Sequence, residues 1–71
     1  MSAYVYVLGS QYGRRRRTYV GWTTDLERRL AQHNAGAGAK FTRGGSWALL
    51  YAERYDAPGE AMSREWRLKR D

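Results

Sequence analysis

Apolar and polar positions alternate at the start of the chain, where Tyr4 to Leu8 sets Tyr against Val with the period of two that marks a half-buried strand. Thr18 to Trp22 is a second β-rich run of similar length, and Gly9, Ser10, Gly13 and four consecutive Arg lie between the two. The pattern predicts a hairpin with that intervening segment as its turn. Paired in register, Val5, Val7 and Val20 share one face while Tyr4, Tyr6 and Tyr19 share the other.

The period then changes. Thr24-Asp25-Leu26-Glu27 reads as a capping box, predicting a helix from about Asp25 to Ala35 that ends near Gly36. Leu26 and Leu30 define its buried stripe, with Arg29 and His33 beside it one turn apart and Arg28 pointing away. Gly36 to Ser46 is Gly-rich and basic and reads as a loop. Trp47 to Tyr55 has strand length and composition, and Asp56-Ala57-Pro58 opens a final helix that runs to the chain's end. In that helix Ala61, Met62, Trp66 and Leu68 make one broad apolar sector, and Glu65 falls inside it. The predicted order is β-β-α-β-α, an α+β fold with a small three-stranded antiparallel sheet flanked by helices.

Length and charge narrow the function. With 71 residues there is room for one domain and one modest core. Thirteen Lys and Arg against seven Asp and Glu leave a formal charge of +6, which attracts polyanions, and eleven of the thirteen cations are Arg, whose planar fork suits phosphate oxygens. Arg14, Arg15, Arg16 and Arg17 in the hairpin, with Lys40 and Arg43 in the loop, are the expected phosphate contacts; the bland reading of the Arg run is a solvated hairpin tip. With no Cys and one His, thiolate chemistry and the common catalytic zinc sets are excluded, so any metal is oxygen-ligated. No apolar run approaches the ~20 residues of a membrane span, and no signal peptide is evident, so the protein reads as soluble and intracellular.

A Glu in an apolar helix face points to a metal, an Arg or a solvent-filled cleft beside it, whereas the plain alternative is a surface pair between Glu65 and Lys69 at i,i+4 spacing. Lone strand tyrosines and a lone His at a helix C-terminus are, singly, more often structural. In order along the chain, however, Tyr4-Val5-Tyr6, Tyr19-Val20-Gly21, Arg29 ten residues beyond Tyr19, His33, the stretch Lys40-Phe41-Thr42-Arg43, and Glu65 within Arg64 to Lys69 resemble the GIY-YIG nuclease family, in particular its small stand-alone members. The resemblance covers nearly the whole chain. Tyr4 stands where the namesake triplet has Gly, and the chain ends at Asp71, just after the Glu-bearing helix, where many members contribute a further polar residue.

The resemblance implies a single nuclease domain over residues 1–71 that hydrolyses phosphodiester bonds in DNA, by structure or weak sequence preference, with one Mg²⁺ or Mn²⁺ held by Glu65. It implies a catalytic set of Tyr6, Tyr19, Arg29, His33 and Glu65, in which Arg29 clamps the scissile phosphate. It favours Tyr6 as general base, Tyr19 as a positioning group and His33 bonded to a phenol, although the residues themselves leave the two tyrosines interchangeable. Relatives in that family include restriction and homing enzymes, the excision-repair incision nuclease and branched-DNA resolving enzymes, so flap, branched, nicked and single-stranded DNA, and RNA, all stay open as substrates. Two rival readings share the fold: a catalytically silent nucleic-acid-binding module, and a subunit that depends on a partner protein. A membrane-surface role is disfavoured, because Glu65 interrupts the apolar face of the last helix.

Overall fold

The computed structural model describes residues 2–12, 15–35 and 46–70. Its elements run β1 (Ala3–Tyr12), β2 (Arg15–Thr23), α1 (Leu26–Asn34), β3 (Ala48–Tyr55) and α2 (Pro58–Arg70), the predicted β-β-α-β-α order. The strands form one antiparallel sheet in the order β2-β1-β3.

β1 is central because both of its faces find cover. Val7 pairs with Val20, Tyr6 with Gly21 and Leu8 with Tyr19, so the valine and tyrosine faces separate as expected. On the valine face Ala3 and Val5 pack with Ala61 of α2, bordered by Val20, Trp22, Tyr55 and Leu68. On the tyrosine face Tyr6, Leu8 and Trp47 pack under Leu26 and Leu30 of α1, with Tyr19 alongside. Two small cores thus sit on opposite sides of one sheet. Asn34 closes the α1 end: its side-chain amide donates to the Trp47 carbonyl at 3.1 Å and its amide oxygen accepts from the Trp47 N–H at 2.6 Å.

Several local expectations shift. Both hairpin strands extend well past their predicted ends, so Arg15, Arg16 and Arg17 lie in β2 rather than in a turn. Gly9, read as a turn residue, is a strand residue on which Leu50 packs: a Cβ there would stand 2.6 Å from Leu50 Cδ1. β2 is an edge strand, which is where a run of charge is tolerated in a sheet. The cap of α1 is Asp25 rather than Thr24, with Asp25 Oδ1 accepting from the Arg28 N–H at 3.1 Å. Thr23 Oγ1 accepts from the Asp25 N–H at 3.1 Å and sets the turn before the helix.

The apolar sector read on the last helix is narrower than expected. Ala61 is buried and Leu68 partly so, but Met62 is 50% and Trp66 60% exposed. The inward face is completed instead by Arg64, whose guanidinium grips Glu53 of β3 at 2.9 and 3.3 Å. Glu53 also accepts from the hydroxyls of Tyr51 and, at 2.7 Å, Tyr55. The Arg64 fork and these two hydroxyls hold its carboxyl at about 2, and the cluster ties β3 to α2.

Candidate active site

The hairpin register builds the site's floor. Tyr6 faces Gly21 across the β1–β2 ladder, and a Cβ at residue 21 would lie 2.5 Å from Tyr6 Oη, 2.7 Å from its Cζ and 3.0 Å from Tyr19 Cε1. Only a residue without a side chain lets the Tyr6 ring lie across its partner in this way. The ring is 1% exposed, and its hydroxyl meets Nε2 of the fully buried His33 at 3.0 Å. His33 therefore lies inside the tyrosine-face core rather than beside the helix stripe. Tyr19 completes a triangle of rings, its centroid 6.3 Å from Tyr6 and 4.9 Å from His33.

Burial sets the protonation of this pair. Desolvation raises the Tyr6 phenol above its ordinary 10.0, opposed in part by the hydrogen bond to Arg29. His33 is pushed below 6.5, first by burial and then by the nearby Arg29 charge. A neutral phenol thus meets a neutral imidazole, and the His33 tautomer sets which of the two donates.

Arg29 joins them from α1. Its guanidinium bonds the Tyr6 hydroxyl and reaches that of Tyr19, contacts that raise it above its ordinary value, and its Nη1 donates to Gln32 Oε1 at 3.1 Å. Gln32 holds the fork from one turn along the same helix. The fork stays partly exposed, with donors that can meet a phosphate.

Glu65 approaches from α2. Its side chain is 21% exposed and close enough for its charge to act on Tyr6, while Lys69 Nζ sits 3.5 Å from Glu65 Oε2 and 5.8 Å from the centre of the Tyr19 ring. The i,i+4 pair foreseen as the plain alternative is therefore present, and it borders the phenols. β2 is an edge strand, so long side chains from α2 can reach round it to the tyrosine face. Among the described residues no three His, Cys, Asp or Glu side chains gather into a metal cage. The donor set fits one hard cation held by a single carboxylate and otherwise by water and phosphate, which is how Mg²⁺ is commonly bound.

The five residues expected to carry chemistry are thus brought to one region from β1, β2, α1 and α2. The Arg run is only partly where it was expected: Arg15 and Arg16 are exposed on β2, whereas the Arg17 guanidinium stacks 5.5 Å from the centre of the buried Trp47 ring. Arg14, Lys40 and Arg43 lie outside the described residues. Gln32 was missed as a neighbour of the site, and Lys69 was foreseen only as the partner of Glu65, not as a neighbour of Tyr19. Each stands three or four residues from a singled-out residue on the same helix face, and that spacing was a usable pointer.

The family described as the GIY-YIG catalytic domain matches residues 2–71. The chain belongs to the GIY-YIG family. That places it among nuclease domains acting on nucleic acid. GIY-YIG relatives similar to it include a UPF0213 protein of Halobacterium salinarum, 54% identical over 52 residues, 72% of this chain and 68% of the relative. A UPF0213 protein of Streptococcus pneumoniae serotype 4 is 49% identical over 69 residues, 96% of this chain and 67% of the relative. The solution NMR structure of a UPF0213 protein from Bacillus halodurans is 39% identical, with a TM-score of 0.58, and is matched over all of this chain and 73% of its own. The GIY-YIG motif residues Tyr6, Tyr19 and Gly21 are those of the hairpin floor. No helix among the described residues is long and apolar enough to cross a membrane.

Proposed function

We propose that this chain acts as one metal-dependent nuclease domain that hydrolyses phosphodiester bonds in DNA. The observation that carries the reading is Arg29: a partly exposed guanidinium set against two phenols, backed by the buried Tyr6–His33 pair, with a carboxylate close by on α2. A fixed cation, a hydroxyl and a carboxylate are the groups that in-line attack of water on phosphorus requires.

Arg29 clamps two non-bridging oxygens of the scissile phosphate and stabilises the charge that grows on them as water adds. Tyr19, the less buried of the two phenols, faces the attacking water; with its own proton given up to solvent, its phenolate, paired with the Arg29 cation, takes the proton of that water. The water oxygen forms a bond to phosphorus, the opposite P–O bond breaks, and the departing oxygen gains a proton from solvent. Tyr6 is too deeply enclosed to meet that water, so its part is to hold Arg29 and His33 in place. The family resemblance favours Tyr6 as the base; the deeper burial of Tyr6 supports giving that part to Tyr19 instead. Glu65 would hold one Mg²⁺ or Mn²⁺, and the chemistry such an ion would supply is positive charge at the phosphate. Arg15 and Arg16 supply phosphate contacts that read no base, so recognition follows strand shape more than sequence.

The Glu65–Lys69 pair favours a second reading, a silent or partner-dependent nucleic-acid-binding module whose carboxylate is already neutralised. Isothermal titration with Mn²⁺ separates the two: the nuclease reading expects one site that Glu65→Gln removes, and heat unchanged by that substitution favours the silent module.

A further inference from the structure

α2 carries a second feature that the hydrolytic site does not use. Each residue advances about 100° round a helix, so going round α2 from Glu65 one meets Lys69, Met62, Trp66 and then Arg70. Met62 and Trp66 stand 50% and 60% exposed, and Arg70 sits over Trp66, its guanidinium carbon 4.4 Å from the ring centre. Met62, Ser63, Trp66 and Arg67 line a shallow groove on this surface. Most of Trp66 is open to solvent, and Arg70 sits over its ring.

We propose that this flank of α2 is a stacking platform for an unpaired nucleotide, so that the substrate has a single-stranded stretch next to the cleaved phosphate. The proposal rests on the nucleic-acid reading of the site above. Charge selects the occupant. Arg70 over the indole and Arg67 beside it in the groove supply positive charge, which suits a strand's phosphates while the ring takes a base. A second copy docking through the same face would bring these cations against their own counterparts. Trp66 lies about 100° round the helix from Glu65, on the flank next to that carboxylate, within reach of a strand that crosses the site. Bases in a duplex are stacked already and cannot use the ring, so the platform discriminates by strand state and not by sequence.

The test is anisotropy of a fluorescein-labelled thymidine oligonucleotide and of a matched duplex, titrated with the full chain in EDTA at fixed low salt. Trp66→Ala should weaken single-strand binding by about 5- to 160-fold, the range that corresponds to one lost base–aromatic stack. It should leave duplex binding within about twofold, and Trp66→Phe should keep most of the single-strand affinity. Because the indole is exposed, the thermal midpoint of Trp66→Ala should match wild type, and that control excludes misfolding. Equal loss on both substrates, or none on either, overturns the platform and leaves the hydrolytic proposal standing. Binding of neither substrate by the wild-type chain overturns the nucleic-acid reading itself. A dimer of the free protein that Trp66→Ala dissolves, seen by sedimentation, assigns the face to a second copy and also overturns the platform.

Discussion

Replacing Gly21 by Ala tests the hairpin floor with a single methyl. The added Cβ would stand 2.5 Å from Tyr6 Oη and 2.7 Å from its Cζ, about 1 Å inside ordinary carbon contact. The end of a side chain can sometimes yield cheaply, but this phenol is 1% exposed, bonded to His33 at 3.0 Å and flanked by the Tyr19 ring. A shift of that size breaks the bond to Nε2 and moves Arg29 with the phenol. Overpacking of this kind costs about 1 to 3 kcal/mol. In a domain of this size each kcal/mol lowers the thermal midpoint by about 4 to 8 °C. Misplacing a catalytic array by about 1 Å can cost on the order of 100-fold in turnover. Differential scanning fluorimetry and cleavage of labelled DNA measure the two effects on one preparation. Wild-type melting and wild-type cleavage in Gly21→Ala would refute the close approach of Tyr6 to β2 and the reasoning built on it.

The phenols should separate in the same assays. Tyr19→Phe is expected to lower cleavage by about 100- to 10,000-fold with its melting point unchanged, whereas Tyr6→Phe should lower both, since it takes a hydrogen-bond partner from buried His33. Asp25→Ala should cost about 0.5 to 2 kcal/mol by chemical denaturation and Thr24→Ala much less, because Asp25 carries the cap. Acid should weaken the fold through Glu53. Its carboxyl is held at about 2 against an ordinary 4.5, so its contribution is complete above about 4.5 and is lost as pH falls towards 2, and Glu53→Gln should flatten that part of a pH–stability curve. His33, held below 6.5, adds a loss in the same direction that begins as pH drops under 6.5, visible as a difference between wild type and His33→Gln.

Much of the fold was legible because its long-range pattern is simple. Alternating Tyr and Val placed two faces on β1, and Pro58 and the run before α1 marked where helices begin. Local chemistry misled where tertiary contact overrode it. Gly9 and the Arg run looked like turn residues because no sequence pattern shows that Leu50 covers Gly9 or that β2 lies at an edge. Met62 and Trp66 seemed to belong to the core because helical periodicity gives the faces of a helix without saying which one the sheet covers. In the site, ordered motifs indicated which residues to watch, but not that His33 is wholly enclosed, that Tyr6 is deeper than Tyr19, or that Lys69 leans over Tyr19. Those facts depend on the twist of a sheet and the reach of α2 round its edge, which spacing does not encode.

The central claim is hydrolysis at Arg29 and Glu65, and it is tested most directly by incubating end-labelled single-stranded, branched and duplex DNA with the chain in Mg²⁺ or Mn²⁺, with EDTA as control. The account predicts metal-dependent cleavage by wild type that Glu65→Gln and Arg29→Ala abolish, with DNA binding by Glu65→Gln retained. Salt-sensitive binding without cleavage in either metal, or cleavage that survives Glu65→Gln, would contradict it.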